Sequence, residues 1–253
     1  SCGQIALERA GIEVKNYYAS EIKKHAIEVT QHNYPNTIQL GDITKIKGKE
    51  LPKIDLLIGG SPCQDFSRAN KERKGVEGEK SRLFFEYVRL LKECKPWFIC
   101  DHLACEPVRI CGSLVSGALR DRLYWTNIPP FSYDLTGRLI SNIPQPKDKK
   151  ISLQNIIESG EVKKRKHSCL NTKSGEGSTN QKSLLHRNNT TGMITLIYEE
   201  DMVRTVNQNE LELLHNIPKG YTSILNQKKA GDLIGDGWTV DVVAHIFKNL
   251  KTN

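Results

Sequence analysis

The sequence predicts an α/β protein: a doubly wound sheet domain over residues 1–130, a smaller loop-rich lobe over 131–202, and a return to the sheet domain over 203–253. Three observations carry this. Short apolar runs alternate with helical patterns through residue 130, as in a sheet covered by helices. The rhythm fades beyond Pro129 and Pro130, where Pro144, Pro146 and many Gly, Asn and Lys residues follow. It recovers from Val203.

The elements follow in order. Ile5, Ala6, Leu7 and Ala10 have helical spacing, Asn16 to Ser20 reads as a strand, Ile22 to His32 as a helix, and Ile38 to Leu40 as a strand closed by Gly41 and Asp42. The run Asp55 to Gly60 reads as a buried strand entering a glycine turn. A polar loop (65–80), a helix over about 81–94 and a strand at Trp97 to Cys100 come next. Near the end, Glu210 to Leu214 is helical, and a closing helix spans Thr239 to Leu250 after Gly235-Asp236-Gly237-Trp238.

With 253 residues, 38% of them hydrophobic and 26% charged, the chain has ample length for a buried core. No stretch approaches the roughly 20 apolar residues of a membrane span, and the start, Ser-Cys-Gly-Gln, has no signal-peptide pattern. Seven cysteines without a Cys-x-x-Cys pair argue against a zinc site or disulfide framework and for a reducing cytoplasm; no metal is expected. A net charge of +8 favours a polyanionic partner. Lys147, Lys149, Lys150, Lys163, Lys164, Arg165, Lys166 and His167 concentrate that charge beside a Gly/Ser/Thr/Asn-rich stretch from Asn171 to Gly192; the competing reading is a solvated loop face.

Pro62-Cys63-Gln64 stands where the run 55–60 ends. Open α/β sheets place reactive groups at strand C-termini, and a thiol there is a nucleophile once its pKa is lowered. A buried core thiol is the alternative. Arg120-Asp121-Arg122 adds two planar guanidinium groups, which stay charged and suit hydrogen bonding to a base or phosphate; a surface ion pair is the alternative.

Together these segments resemble the C5-cytosine DNA methyltransferases; Arg73-Lys74-Gly75 and Ser81 to Glu86 are most similar to the animal de novo branch and related bacterial or phage enzymes. The resemblance implies a Rossmann-like S-adenosylmethionine-dependent methyltransferase fold with a target recognition lobe, acting on double-stranded DNA. It implies that Cys63 attacks C6 of a flipped-out cytosine, with loop 65–80 closing over DNA, Arg122 on the cytosine, and Arg120 supporting the loop or a phosphate. For S-adenosyl-L-methionine, and its product S-adenosyl-L-homocysteine, it implies a site made of Ser1, Cys2 and Gly3 at the methionine part and Glu21 at the ribose. Asp42 with Ile43 would lie near the adenine, and Pro62, Trp238 and Thr239 would wall the pocket. Singly, Glu21 and Asp42 also read as helix caps and Trp238 as core. Arg204 resembles the residue that organises the lobe.

Two parts of the family pattern do not occur in the sequence. These are an aromatic-Asp-Gly strand before the glycine motif, and a Glu-Asn-Val motif after the strand at 97–100, where Cys100-Asp101-His102-Leu103 stands instead. Only Asp101 to Glu106 would join parallel strands at 98–100 and 107–111, whereas a crossover needs about a dozen residues or more, so missing segments are expected. Asp101 is a carboxylate one methylene shorter than the glutamate. The alternatives are a non-catalytic DNA-binding or regulatory relative and an RNA cytosine-5 methyltransferase; the long basic insert favours a duplex reader. A dehydrogenase lacks support, because no Gly-x-Gly-x-x-Gly follows a strand.

Overall fold

The computed structural model describes residues 1–60, 79–96, 105–168, 180–191 and 194–250. Strand 97–100, Asp101, Pro62, Cys63 and most of loop 65–80 lie outside the described residues.

Helix α1 (Cys2–Arg9) turns Gly3, Ile5, Ala6 and Leu7 inward. Its chain reverses at Gly11, whose φ of +73° is open to glycine without a Cβ clash. The inward face packs on α7 (Val240–Phe247), an apolar helix that buries Val240, Val242, Val243, Ala244, Ile246 and Phe247. Arg9 Nη1 bonds Asp241 Oδ1 at 2.5 Å across this pair, joining residues 232 apart in sequence.

Strand β1 (Tyr18–Ala19), helix α2 (Lys24–Asn33) and strand β2 (Ile38–Gln39) form a parallel crossover, with Tyr18 opposite Ile38 and Ala19 opposite Gln39. Gly41, at φ +74°, turns the chain out of β2 into a 3-10 turn, Ile43–Lys45. A second 3-10 turn, Gly48–Glu50, docks on helix α3 (Glu79–Cys94): Gly48 N donates to Glu93 Oε2 at 2.6 Å, and a Cβ at Gly48 would lie 2.7 Å from Glu93 Cβ. In the run 55–60, Leu56, Leu57 and Ile58 are half-buried and Leu56 lies in a ladder bridge, with no longer strand there among the described residues.

Strand β3 (Cys105–Glu106) runs parallel to β7 (Leu139–Ser141), which pairs antiparallel with β6 (Phe131–Tyr133). Strands β4 (Val108–Cys111) and β5 (Asp121–Tyr124) form an antiparallel pair joined by the loop 112–120. The expected parallel pairing of 107–111 with 98–100 involves residues outside those described; among the described residues β4 pairs with β5, which a reversing loop returns alongside. Strands β8 (Glu161–Val162), β9 (Ile197–Tyr198) and β10 (Val203–Arg204) make a small antiparallel sheet, against which α4 (Gln181–Thr191) lies. Helix α4 falls in the stretch read as loop, since its sequence is polar around Leu184 and Leu185.

Helices α5 (Gln208–Leu214) and α6 (Gln227–Asp236) pack together before α7. Asn207 and Glu210 form a reciprocal capping box on α5. Helix α6 extends through Gly235 and Asp236; its buried Ala230 and Ile234 supply the apolar face that overrides two glycines. The main core joins Ile5, Leu7 and Val29 to Ile110, Ile143, Leu153, Ile197, Leu211 and Phe247, and a smaller cluster gathers Leu184, Ile194, Leu196 and Val203.

Candidate cofactor and base site

The end of run 55–60, the N-terminus of α1 and the segment between α6 and α7 meet. Gly3 is buried so tightly that a Cβ would lie 2.5 Å from both Ile58 Cδ1 and Tyr17 Oη. Cys2 sits beside Gly237, where a Cβ would be 3.1 Å from Cys2 Sγ. The amino group of Ser1 donates to Tyr221 Oη at 2.6 Å. Trp238 lies over Gly60: a Cβ there would be 3.4 Å from the indole Cζ2. The indole thus rests against the backbone three residues before Cys63.

Thr239 closes the same corner. Its hydroxyl would be 2.8 Å from a Cβ on Gly112, and the Arg120 Cβ is also within reach of that glycine. Arg120 is 6% exposed, and its Nη2 donates to the carbonyls of Gly235 (3.0 Å) and Gly237 (2.5 Å). The guanidinium therefore holds the α6 C-terminus and the turn carrying Trp238, favourable chemistry for a cation at helix carbonyls. Arg122, two residues on in β5, is exposed, and its Nη1 donates to Asp121 O at 2.8 Å. The Asp121 carboxylate itself pairs with Arg109, which holds it below the usual carboxylate range.

Glu21 Oε1 accepts from Ile22 N (2.8 Å) and Lys23 N (2.9 Å), while Oε2 takes neither bond. Lys23 Nζ reaches Asp236 Oδ2 at 2.5 Å, tying the Glu21 loop to the residue two before Trp238. Asp42 caps its 3-10 turn: Oδ1 accepts from Thr44 N and Thr44 Oγ1, both at 2.9 Å, and these bonds hold its carboxyl below the ordinary value. Ile43 O accepts from Arg89 Nη2 at 3.1 Å, which anchors this turn to α3 through a residue the sequence did not single out. Tyr87 likewise packs on Gly59. So Cys2, Gly3, Trp238, Thr239 and Arg120 are brought together, Glu21 is joined to them through Lys23, and Asp42 and Ile43 sit against α3. Pro62 and Cys63 lie outside the described residues.

Arg204 is the hub of a separate network. Its Nη1 and Nη2 reach Glu210 Oε2 (2.8 Å) and Oε1 (3.0 Å), and its Nε reaches Glu199 Oε1 (2.8 Å). Glu210, fully buried, also accepts from Glu158 N (2.8 Å) and Asn207 N (2.7 Å). Strand β10 is thereby fixed to α5 and to the turn at 158–159.

Comparison with known proteins finds relatives of the first part of the chain and of its fold. Residues 2–100 match the family model for C-5 cytosine-specific DNA methylase. Orphan methyltransferase M.Rho11sI of Bacillus phage rho11s is 43% identical over 103 residues, 40% of this chain and 20% of the relative. Type II methyltransferase M.NlaIV of Neisseria lactamica is 44% identical over 91 residues, 36% of this chain and 21% of the relative. The chain therefore spans about a fifth of the length of these curated relatives. Among solved structures, a putative DNA modification methyltransferase from an E. coli prophage superposes with a TM-score of 0.68 at 16% identity, covering 98% of this chain and 95% of that one. The DNMT2 mutant of Spodoptera frugiperda gives a TM-score of 0.58 at 18% identity, covering 98% and 96%. The fold is the Rossmann-like α/β fold of these methyltransferase structures, and residues 2–100, which include Cys2, Gly3, Glu21, Asp42 and Cys63, are similar to the C-5 cytosine-specific DNA methylase family.

Proposed function

We propose that this chain is a DNA (cytosine-5-)-methyltransferase that uses S-adenosyl-L-methionine, with residues 131–202 as its target recognition lobe on double-stranded DNA. The observation that carries the proposal is the meeting of Cys2, Gly60 and the Gly237-Trp238 turn, drawn from both ends of the chain around the backbone that leads to Cys63.

The residues present fit the cofactor. A half-buried glutamate whose second oxygen takes neither turn bond suits a ribose diol, and an indole face suits an adenosine or methionine contact. When bound, S-adenosylmethionine supplies an electrophilic methyl group. Glu21 would hold the ribose hydroxyls, Asp42 and Ile43 would flank the adenine, and Pro62, Trp238 and Thr239 would exclude water. On the substrate side, Cys63 as thiolate adds to C6 of a cytosine turned out of the stack, which makes C5 nucleophilic. Arg122 would orient that base. After methylation a base takes the C5 proton and Cys63 leaves, restoring the ring.

The test is methyl transfer from labelled S-adenosylmethionine to mixed-sequence duplex DNA and, in parallel, to RNA, followed by nucleoside mass analysis, with Cys63→Ala beside the unaltered chain. 5-Methylcytosine in DNA only when Cys63 is present is the expected result. Transfer to RNA alone would favour the RNA enzyme, and cofactor and DNA binding without transfer would favour the regulatory relative. Methylation retained by Cys63→Ala would overturn the covalent mechanism.

A further inference from the structure

The basic run 163–167 alternates in direction: Lys163 and Arg165 are exposed, whereas Lys164 and Lys166 are half-buried and His167 is buried. Lys166 Nζ donates to three main-chain carbonyls, Ser113 O (2.6 Å), Ser116 O (2.7 Å) and Ile151 O (2.5 Å). An ammonium has three donors, so all three are used.

Two of those carbonyls belong to the loop 112–120, which delivers Arg120 and then Arg122. The neighbouring carbonyls are taken too. Leu114 O accepts from Lys149 N, Val115 O from Asn216 Nδ2, and Gly117 O from His167 N. Five successive carbonyls, 113 to 117, are thus held from outside the loop, and Lys166 supplies two of the five bonds. Leu119 N returns a bond to His167 O at 2.9 Å, one residue before Arg120.

We propose that Lys166 is a positioning residue for methyl transfer: its ammonium is a built-in cation in a three-carbonyl cage that sets the loop carrying Arg120 and Arg122. This rests on the methyltransferase reading above. Arg165, the exposed neighbour, has the chemistry for a phosphate, and a backbone held there would be coupled through one residue to the cage.

The experiment compares Lys166→Met, Lys166→Gln and Lys166→Ala with Arg165→Ala. A 1 Å displacement of a catalytic group can cost about a hundredfold in rate, so Lys166→Met should lower kcat on that order with little change in the KM for DNA. Arg165→Ala should instead raise the KM for DNA. Added n-propylammonium, which matches the missing three carbons and nitrogen of Lys166→Ala, should restore its kcat by about tenfold, while tetramethylammonium at equal ionic strength should not. Lys166→Gln keeps two donors and guards against a variant that fails to fold. An arm that needs no turnover is hydrogen exchange across residues 112–124 of the unliganded chain, where Lys166→Met and Lys166→Gln should exchange faster. Unchanged exchange there, absence of amine rescue, or a kinetic pattern matching Arg165→Ala would overturn the proposal. If the unaltered chain makes no methylcytosine yet exchange responds as expected, the methyltransferase reading fails while the clasp on the loop stands.

Discussion

Replacing Arg204 by alanine isolates the energetics of the network that fixes β10. Glu210 is fully buried and accepts four hydrogen bonds, two from the Arg204 fork and two from the main-chain N–H groups of Glu158 and Asn207. Removing one partner of a buried ion pair costs about 3–5 kcal/mol, because the other charge is left uncompensated. Two main-chain donors remain, and Arg204 itself is 18% exposed, so water can enter the vacated space. The cost therefore falls toward the lower end, about 3 kcal/mol. For a chain of this size each kcal/mol moves the melting temperature by roughly 2–4 °C, which gives a fall of about 6–12 °C. Thermal unfolding followed by circular dichroism at pH 7.5 measures it. Arg204→Lys keeps the charge but loses the fork, and should fall about half as far. A loss below about 2 °C for Arg204→Ala would refute the assignment of this pair as a major stabilising contact.

Other expectations follow from the same contacts. In Gly3→Ala the new methyl meets Ile58 Cδ1 and Tyr17 Oη at 2.5 Å, so a loss of about 1–3 kcal/mol in denaturant unfolding is expected, with weaker cofactor binding in titration calorimetry. Arg120→Met strips Gly235 O and Gly237 O of their donor; a fall in stability of about 1–3 kcal/mol and an altered Trp238 fluorescence would report it. Burial holds His167 down to about 4, and burial with the nearby Arg120 charge holds His215 down to about 3. Both are neutral in the native state but protonate near 6.5 when unfolded. Their contribution is complete above pH 6.5 and is lost as pH falls through 6.5 toward 4, at about 1.4 kcal/mol per pH unit for each histidine. Melting temperatures at pH 7.5 and 5 should therefore diverge less in His215→Leu than in the unaltered chain, and an equal divergence would count against the burial argument.

The elements that were legible share strong local signals. Helices α1, α2, α3, α5 and α7 have apolar residues at helical spacing, and β1 and β2 are short apolar runs closed by turn residues. Helix α6 was not read from the sequence; it holds Gly231 and Gly235, and its buried residues are Ala230 and Ile234, on a helix that packs with α5. At the site, residue types were readable but destinations were not. Glu21 and Asp42 carry carboxylates suited to a nucleotide, yet each also caps its own turn, and Arg120 points its charge at Gly235 and Gly237 rather than outward. Nor does a run of like charges reveal that alternate members face inward; that depends on the carbonyls of a loop some fifty residues away, such as Ser113 and Ser116.

The packing of α1 on α7 has a consequence for biosynthesis. The helix that opens the chain buries its apolar face on one that starts more than 230 residues later, as the Arg9–Asp241 contact spans 232 positions. At ribosomal rates of about 5–20 residues per second, α1 waits roughly 10–50 s for its partner. Through that interval the apolar face of α1, Ile5 and Leu7 included, lacks the helix that covers it, and Gly60 lacks Trp238. A chain arrested before α6 would carry Gly3 and Glu21 without Trp238 and Thr239, so on the proposed function such a product would lack part of its cofactor site.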